Sequence, residues 1–269
     1  MSALKNKKLA VMGAGMVGGS LIKYFEKRGY GFVIYDPPKG FADVAALNAA
    51  EVVFVCVPTP FEEEKGFDLS YVENALATLT GEKIVVIKST VVPGTTARLQ
   101  EEFPQHRLCY NPEFLTEVTA DQDFAFPDRQ IVGYTERSFS VAKDIMLLMP
   151  QAPFERIVPS TAAEMIKYFG NTWFSTKVVF ANQMYDLCQK LGVEYDTVKD
   201  AVAADKRIGP THLEIFHDGY RGYGGKCLPK DTRALIQLGD KLGAELELLK
   251  MVEYINNRLV KQSELDRDR

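Results

Sequence analysis

The sequence predicts an α/β protein: a Rossmann-type, doubly wound, mostly parallel sheet in the first half, followed by a mainly helical domain. Three observations carry this expectation. Short apolar, β-branched runs alternate with helical stretches through the first half, the pattern of a parallel sheet covered by helices. A glycine-rich turn stands directly after the first of these runs. From about Ser160 the character changes, and Ala162 to Leu191 continues without proline and with apolar residues at helical spacing.

The strand candidates, in order, are Lys8–Met12, Phe32–Tyr35, Val52–Val57, Ile84–Lys88, Leu108–Tyr110 and Gln130–Gly133. The Pro150–Pro159 stretch reads as a domain junction, which places a dinucleotide-binding domain at 1–156 and a helical domain at 157–269. Beyond the long helix, a second helix is expected from near Lys230 and a third over Ala244–Val260. In the third, Leu246, Leu249, Val252, Ile255 and Leu259 step by three or four along one face. Such a stripe suits either core packing or a dimer seam, and we expect a homodimer through the helical domain. Lys261–Arg269 is almost wholly polar and is expected to fray.

Composition narrows the function. The 269 residues are 46% hydrophobic and 25% charged, which is the balance of a globular chain and not of a disordered or fibrous one. Lys and Arg total 32 against 36 Asp and Glu, with no basic block to follow a phosphate backbone, so nucleic acid is not an expected partner. The longest apolar run, Val52–Val57, falls far short of the ~20 residues of a membrane span, and Met1-Ser-Ala-Leu-Lys has no signal-peptide core. No membrane partner and a cytoplasmic location are expected. Cys56, Cys109, Cys188 and Cys227 are widely spaced, with neither a CxxC pair nor a metal-ligand cluster, so neither disulfide nor metal is expected.

Gly13-Ala-Gly15-Met16-Val17-Gly18 follows the first strand and opens a helix, with Gly29 as its expected stop. In this context Gly13 turns the chain, Gly15 admits a pyrophosphate to the backbone, and Gly18 permits close helix–strand packing. The helix N-terminus adds N–H groups and a positive dipole end. Asp36 ends the second strand 21 residues after Gly15, where a carboxylate accepts from the ribose hydroxyls and repels a 2′-phosphate. NAD is therefore favoured over NADP, with Lys39 as a basic residue close by. Val57-Pro58-Thr59-Pro60 and Lys88-Ser89-Thr90 stand at carboxyl ends of later strands, where such sheets bind ligands; alone they are strand-to-loop turns.

Asn111-Pro112-Glu113-Phe114-Leu115-Thr116-Glu117 reads as a capped helix start with carboxylates at i and i+4, whose repulsion raises one pKa. Solvated helix-start acids are the competing reading. Lys167 and Asn171 share a face of the long helix, with Glu164 a turn earlier, and either bind an oxyanion or lie on the surface. The most informative segment is Gly222-Tyr223-Gly224-Gly225-Lys226-Cys227-Leu228-Pro229-Lys230-Asp231. A thiol near a helix N-terminus and flanked by two lysines is expected to have a depressed pKa, although composition alone favours a buried structural cysteine.

The runs GAGMVG, VPTP, KSTVVPGTT, NPEFLTE, EMIKYFGN, DKRIG and GYGGKCLPKD, with Asp36, occur in the order found in the UDP-glucose/GDP-mannose dehydrogenase family, which the chain resembles from about residue 10 to 235. That resemblance implies a 6-phosphogluconate-dehydrogenase-like fold and an NAD-dependent oxidation of a sugar C6 alcohol to a carboxylate through a covalent thioester. The implied substrate is a nucleotide sugar, UDP-glucose foremost. The resemblance implies Cys227 as nucleophile and Lys167 and Asp231, with a water, as the proton and alkoxide pair. It implies Glu113 as the base for hydrolysis, and Thr90, Glu117 and Asn171 as holders of the water network and sugar. Implied NAD contacts are Gly13, Gly15, Met16, Val17, Gly18, Asp36, Val57, Pro58, Thr59, Ser89, Thr90, Glu117 and Lys230. Implied substrate contacts are Glu113, Phe114, Leu115, Glu117, Lys167, Asn171, Arg207, Tyr223, Gly224 and Cys227, with Arg207 reaching across a dimer interface.

Two departures stand out. Lys226 replaces the family's usual small residue before the cysteine, and Leu228 replaces an aromatic. The resemblance also implies a third, UDP-holding domain after the last helix, so the chain is expected to be a short form lacking it, with lower turnover. The alternatives are a two-domain hydroxy-acid dehydrogenase that transfers one hydride, and a catalytically silent NAD-binding paralogue.

Overall fold

The computed structural model describes residues 3–4, 6–62, 66–217 and 219–267, and the chain divides into two compact units, 1–167 and 168–269. The first unit is built as β1 (Leu9–Met12), α1 (Met16–Lys27), β2 (Phe32–Tyr35), α2 (Val44–Asn48), β3 (Val52–Val55), a small hairpin of β4 (Phe61–Glu62) and β5 (Gly66–Phe67), α3 (Ser70–Thr78), β6 (Ile84–Ile87), α4 (Thr95–Glu102), β7 (Arg107–Tyr110), α5 (Ala120–Ala125), β8 (Arg129–Tyr134), α6 (Phe139–Leu148) and β9 (Phe154–Pro159). Helix α7 (Ser160–Leu191) starts there and continues into the second unit.

Seven strands form one sheet in the order β2-β1-β3-β6-β7-β8-β9. Every pair is parallel except β7 with β8. Side chains alternate across the sheet, as the period of two requires. Leu9, Val11, Val52, Phe54, Val86 and Val132 face α1, α5 and α6 on one side, while Ala10, Met12, Val53, Val55, Val85 and Ile131 face α2, α3, α4 and the first turns of α7 on the other. With both faces covered, the strands read as continuous apolar runs. All six expected strands are present within one or two residues at their ends. β9 was not expected: it occupies the stretch that reads as a junction, paired in parallel with β8 and largely exposed, so it lacks the apolar signature of the inner strands.

The order reverses at β1, between β2 and β3, and this switch point opens a crevice above the carboxyl ends of the strands. The glycine-rich turn, the 57–60 loop and the 88–90 loop all lie at those ends.

The second unit contains the rest of α7, α8 (Tyr195–Ala203), a hairpin of β10 (Phe216–His217) and β11 (Tyr220–Arg221), α9 (Leu228–Leu242) and α10 (Glu247–Arg267). The stripe expected on the last helix is used inside this unit: Val252 is buried and Ile255 packs with it against Val178, Val179 and Tyr223. Among the described residues of α10, Leu248, Met251 and Tyr254 are exposed large apolar side chains. Of the polar tail expected to fray, α10 takes in residues up to Arg267, and Asp268 and Arg269 lie outside the described residues. Among the described residues no helix is long and apolar enough to cross a membrane.

Gly133 of β8 is what lets α7 sit against the sheet, because a Cβ there would lie 2.7 Å from the Ala163 Cβ and 2.9 Å from the Ser160 Cα. Gly133→Ala is expected to destabilise the protein by roughly 1–3 kcal/mol, as overpacking does, read as a lower urea midpoint. An unchanged midpoint would mean that α7 is free to shift away from β8.

Candidate active site

The glycine turn has the tight geometry that its spacing predicts. Gly13 has φ +86° and donates its N–H to the Tyr35 carbonyl at 2.9 Å, and a Cβ on it would fall 2.6 Å from the Cys56 carbonyl oxygen. A Cβ on Gly18 would fall 1.9 Å from the Gly13 carbonyl oxygen, whereas one on Gly15 would meet only open space. Thus Gly13 and Gly18 are demanded by the chain's own packing, and Gly15 faces the opening. Asp36 accepts from the Ala14 N–H at 2.8 Å, and Lys39 turns its ammonium onto the Ala14 carbonyl. A cavity of about 620 Å³ lies in front, lined by Ala14, Gly15, Met16, Gly19, Ser20, Lys23 and residues 117–122, including Glu117. Val17 packs half-buried in the first turn of α1. The Ser89 hydroxyl donates to the Val57 carbonyl at 2.7 Å and that of Thr59 to the Thr90 carbonyl at 2.8 Å, which ties the two loops together around Pro58. An open glycine cradle at a helix N-terminus, with a carboxylate at the end of β2, fits a dinucleotide.

The 111–117 segment is not the expected helix. Residues 111–116 are irregular, and the helix that follows, α5, begins only at Ala120. Asn111 does not cap; it is fully buried, its side chain accepting from the Lys88 ammonium at 2.7 Å and donating to Gln130 Oε1 at 2.7 Å and the Ile131 carbonyl at 2.6 Å. Interior hydrogen-bond partners at this spot outcompete the local cap. Glu113 and Glu117 therefore do not repel across a helical turn: Glu117 is exposed beside the cavity, and Glu113 is buried.

Glu113 pairs with Lys167 at 2.8 Å, both side chains being almost completely buried. Burial pushes the Glu113 pKa up, but the Lys167 charge and hydrogen bond, the Leu115 N–H at 2.8 Å and the charge of Lys88 together hold it below the usual carboxylate value. The expected rise is thus reversed. Phe114 stacks under the Arg129 guanidinium, 3.9 Å from its ring centroid. One turn before Lys167, Glu164 caps α4 by accepting from Gly94 N–H at 2.6 Å, Thr96 N–H at 2.8 Å and the Thr96 hydroxyl at 2.6 Å, while burial drives its pKa up to about 7. Neither Glu164 nor Lys167 is a surface residue.

In the second unit, Cys227 is the N-cap of α9 and is exposed. By contrast, burial pushes the thiols of Cys56 and Cys109 up, to about 12 and about 11. The Asp231 N–H donates to the Cys227 carbonyl at 3.0 Å, so the two residues do stand one helical turn apart. Asp231 is buried, with Asn171 Nδ2 donating to one carboxylate oxygen and Lys230 holding the other at 2.8 Å. Tyr223 is buried and Gly224 exposed. Arg207 is paired with Asp205 in an exposed turn.

Comparison with known proteins places this arrangement. Residues 39–146 match the NAD binding domain, and residues 161–258 the central domain, of the UDP-glucose/GDP-mannose dehydrogenase family. The UDP-glucose dehydrogenase structure from Pyrobaculum islandicum is 32% identical and superposes with a TM-score of 0.81 over 94% of this chain and 68% of that one. The chain belongs to the UDP-glucose/GDP-mannose dehydrogenase family. The UDP-glucose 6-dehydrogenase of Pseudomonas aeruginosa is 39% identical over 232 residues, 79% of this chain and 49% of that protein. The chain thus spans about half the length of the curated relatives it matches. A Mycobacterium tuberculosis 3-hydroxyisobutyrate dehydrogenase shares the fold at 16% identity, with a TM-score of 0.73.

Within this member of the dehydrogenase family, motif reading passes over Lys88 and Arg129 and misassigns Asn111 as a helix cap. Lys88 stands in the quoted KST run, but only tertiary structure shows its ammonium wholly buried, with Asn111 as its nearest polar partner and the Phe124 ring 5.3 Å away. Burial pulls its pKa down to about 8, against the opposing pull of Cys56 and Glu113. A depressed lysine pKa means that the unfolded chain holds more protons between about pH 8 and pH 10.5, so stability from this group rises with pH across that window. The unfolding free energy of the wild type should therefore gain on that of Lys88→Met by up to about 3 kcal/mol between pH 7.5 and 10.5. Urea titrations at each pH measure it, and a constant difference would refute a buried, titrating Lys88.

Proposed function

We propose that this chain is the catalytic core of an NAD-dependent nucleotide-sugar 6-dehydrogenase, converting UDP-glucose to UDP-glucuronate. The observation that carries the proposal is the start of α9: an exposed thiol at the helix N-cap, with Asp231 one turn on, buried and held by Asn171 and Lys230. A simple alcohol dehydrogenase has no use for such a thiol. Conversion of a primary alcohol to a carboxylate has one: the thiol captures the intermediate aldehyde covalently, and water then hydrolyses the resulting acyl group.

The Gly13–Gly18 turn and Asp36 would hold NAD, which would supply the hydride acceptor for each of the two oxidations. The rest falls to the chain's own residues. Lys167 and Asp231, with a water, take the proton from the C6 hydroxyl and steady the alkoxide. The Cys227 thiolate adds to the aldehyde carbon to give a thiohemiacetal, whose oxidation leaves a thioester. Glu113 removes a proton from the water that attacks this thioester; the C–S bond breaks, releasing carboxylate and thiolate. A base must be ionised to act, and the depressed pKa of Glu113 keeps it so at neutral pH. Thr90, Glu117 and Asn171 orient water and sugar, Lys230 and the 57–59 and 89–90 loops contact the cofactor, and Phe114, Leu115, Tyr223 and Gly224 line the sugar.

The domains for these tasks are 1–156 for NAD and 157–269 for the helical part, and the protein acts in the cytoplasm. It works as a homodimer. The face that supports this is on α7, where Phe169, Trp173, Phe180, Leu187 and Leu191 recur in steps of four and seven and are all exposed. Arg207, exposed and paired with Asp205, reaches a partner's substrate in this reading. Trp173→Glu should convert a dimer to a monomer by sedimentation velocity; a wild-type monomer, or a dimer unaffected by the substitution, would rule this seam out.

The activity is tested by mixing the purified chain with NAD and UDP-glucose and counting products. Two NADH per sugar are expected, and Cys227→Ser should abolish carboxylate formation, a loss of at least ~10³-fold. One NADH per sugar with indifference to Cys227 would instead identify a hydroxy-acid-type dehydrogenase, and NAD binding without turnover on any sugar nucleotide a silent paralogue.

A further inference from the structure

The loop that delivers Cys227 is anchored to α10 at both ends. On the upstream side, the side-chain amide of Asn256 takes both backbone groups of Tyr223: the Tyr223 N–H donates to Oδ1 at 2.7 Å, and Nδ2 donates to the Tyr223 carbonyl at 3.0 Å. This is the pairing that a neighbouring β-strand would provide, made here by one side chain, with both residues buried. Gly222 is shaped to it. Its φ is +84°, and a Cβ on it would lie 2.6 Å from Asn256 Oδ1. One turn away on α10, Glu253 accepts from the Tyr223 hydroxyl at 2.8 Å and pairs with Arg233 of α9 at 2.6 Å, and further along, the Ser263 hydroxyl accepts from the Arg221 N–H at 3.0 Å. The Gly224–Cys227 turn is therefore strung between Tyr223 and α9, each tied to the same face of α10.

We propose that Asn256 is a positioning residue for Cys227: by clamping the Tyr223 backbone it sets where the turn presents the thiol at the start of α9. This deepens the reading of Cys227 as nucleophile and rests on it. Loss of the clamp leaves two buried backbone groups without partners, a cost that the loop relieves by moving until water reaches them. The thiol then leaves its place at the α9 N-terminus.

The test needs no substrate. The full chain is alkylated with iodoacetamide across a pH series, and modification of each cysteine is followed by peptide mass spectrometry, for the wild type, Asn256→Ala, Gly222→Ala, their double variant, and Met251→Ala on the exposed face of α10. Each clamp variant is expected to move the pH midpoint of Cys227 alkylation away from that of the wild type, with a change of roughly threefold or more in rate at fixed pH. The double variant should move it no further, and Met251→Ala not at all. Buried Cys109 and Cys188 report folding by staying unlabelled; if Asn256→Ala exposes them, Asn256→Ser, which keeps a hydroxyl at the position, replaces it. A wild-type midpoint in a folded clamp variant, or shifts that simply add in the double, overturns the proposal. The two readings fail separately: normal turnover in Cys227→Ser removes the nucleophile, whereas an unmoved midpoint removes the clamp.

Discussion

Two opposite charges buried together at the start of α7 govern much of the first unit. Removing a carboxylate and an ammonium from water costs several kcal/mol for each, and only close contact with further hydrogen bonds offsets it. Glu113 and Lys167 meet that condition at 2.8 Å, with the Leu115 N–H on the second carboxylate oxygen. The pair ties the irregular 111–116 segment to α7, and it keeps Glu113 ionised despite its burial. Glu164, a turn earlier, repeats the device with neutral donors: three hydrogen bonds at the α4 N-terminus, but no cation, and so a pKa that burial carries upward. The contrast between these two buried glutamates, one facing a cation and the other neutral donors, shows that the partner, more than the depth of burial, decides the sign of the shift.

The glycines divide by what surrounds them. Gly13, Gly18 and Gly133 are required by the chain's own backbone and side chains, and Gly222 by the amide of Asn256, while Gly15 faces open space. A glycine kept where nothing of the protein crowds it marks an approach for something else, and its place at the N-terminus of α1 makes an anionic group the suitable visitor. The second unit uses the same economy with polar side chains, spending Asn256, Glu253 and Ser263 of one helix on a loop that has little side-chain volume of its own to pack.

Much of this was legible in the sequence. The inner strands announce themselves because burial on both faces demands unbroken apolar runs, and the glycine turn because two of its positions meet steric limits while the third, Gly15, stays open. The Cys227–Asp231 spacing was readable as one helical turn because Pro229 marks a helix start. The 111–117 segment was misread as a helix: its cap, proline and acids satisfy local rules, but Lys88, Gln130 and Ile131 claim Asn111 first. β9 escaped because an exposed edge strand carries no apolar signature.

By itself, then, the sequence determined the sheet, the dinucleotide turn, the long helix and the family to which the chain belongs, since each is written in periodicity or in steric requirements spanning a few consecutive residues. Tertiary structure alone decided which charges are buried, with whom, and in which protonation state. The runs around Lys88, Glu113, Glu164 and Lys167 mark these residues in the chain, but nothing within a few positions of them says that they are buried or with which partner. Their partners stand on other strands and helices, and the energy of a buried charge depends on the distance to the nearest compensating group, a quantity that exists only once the chain has folded.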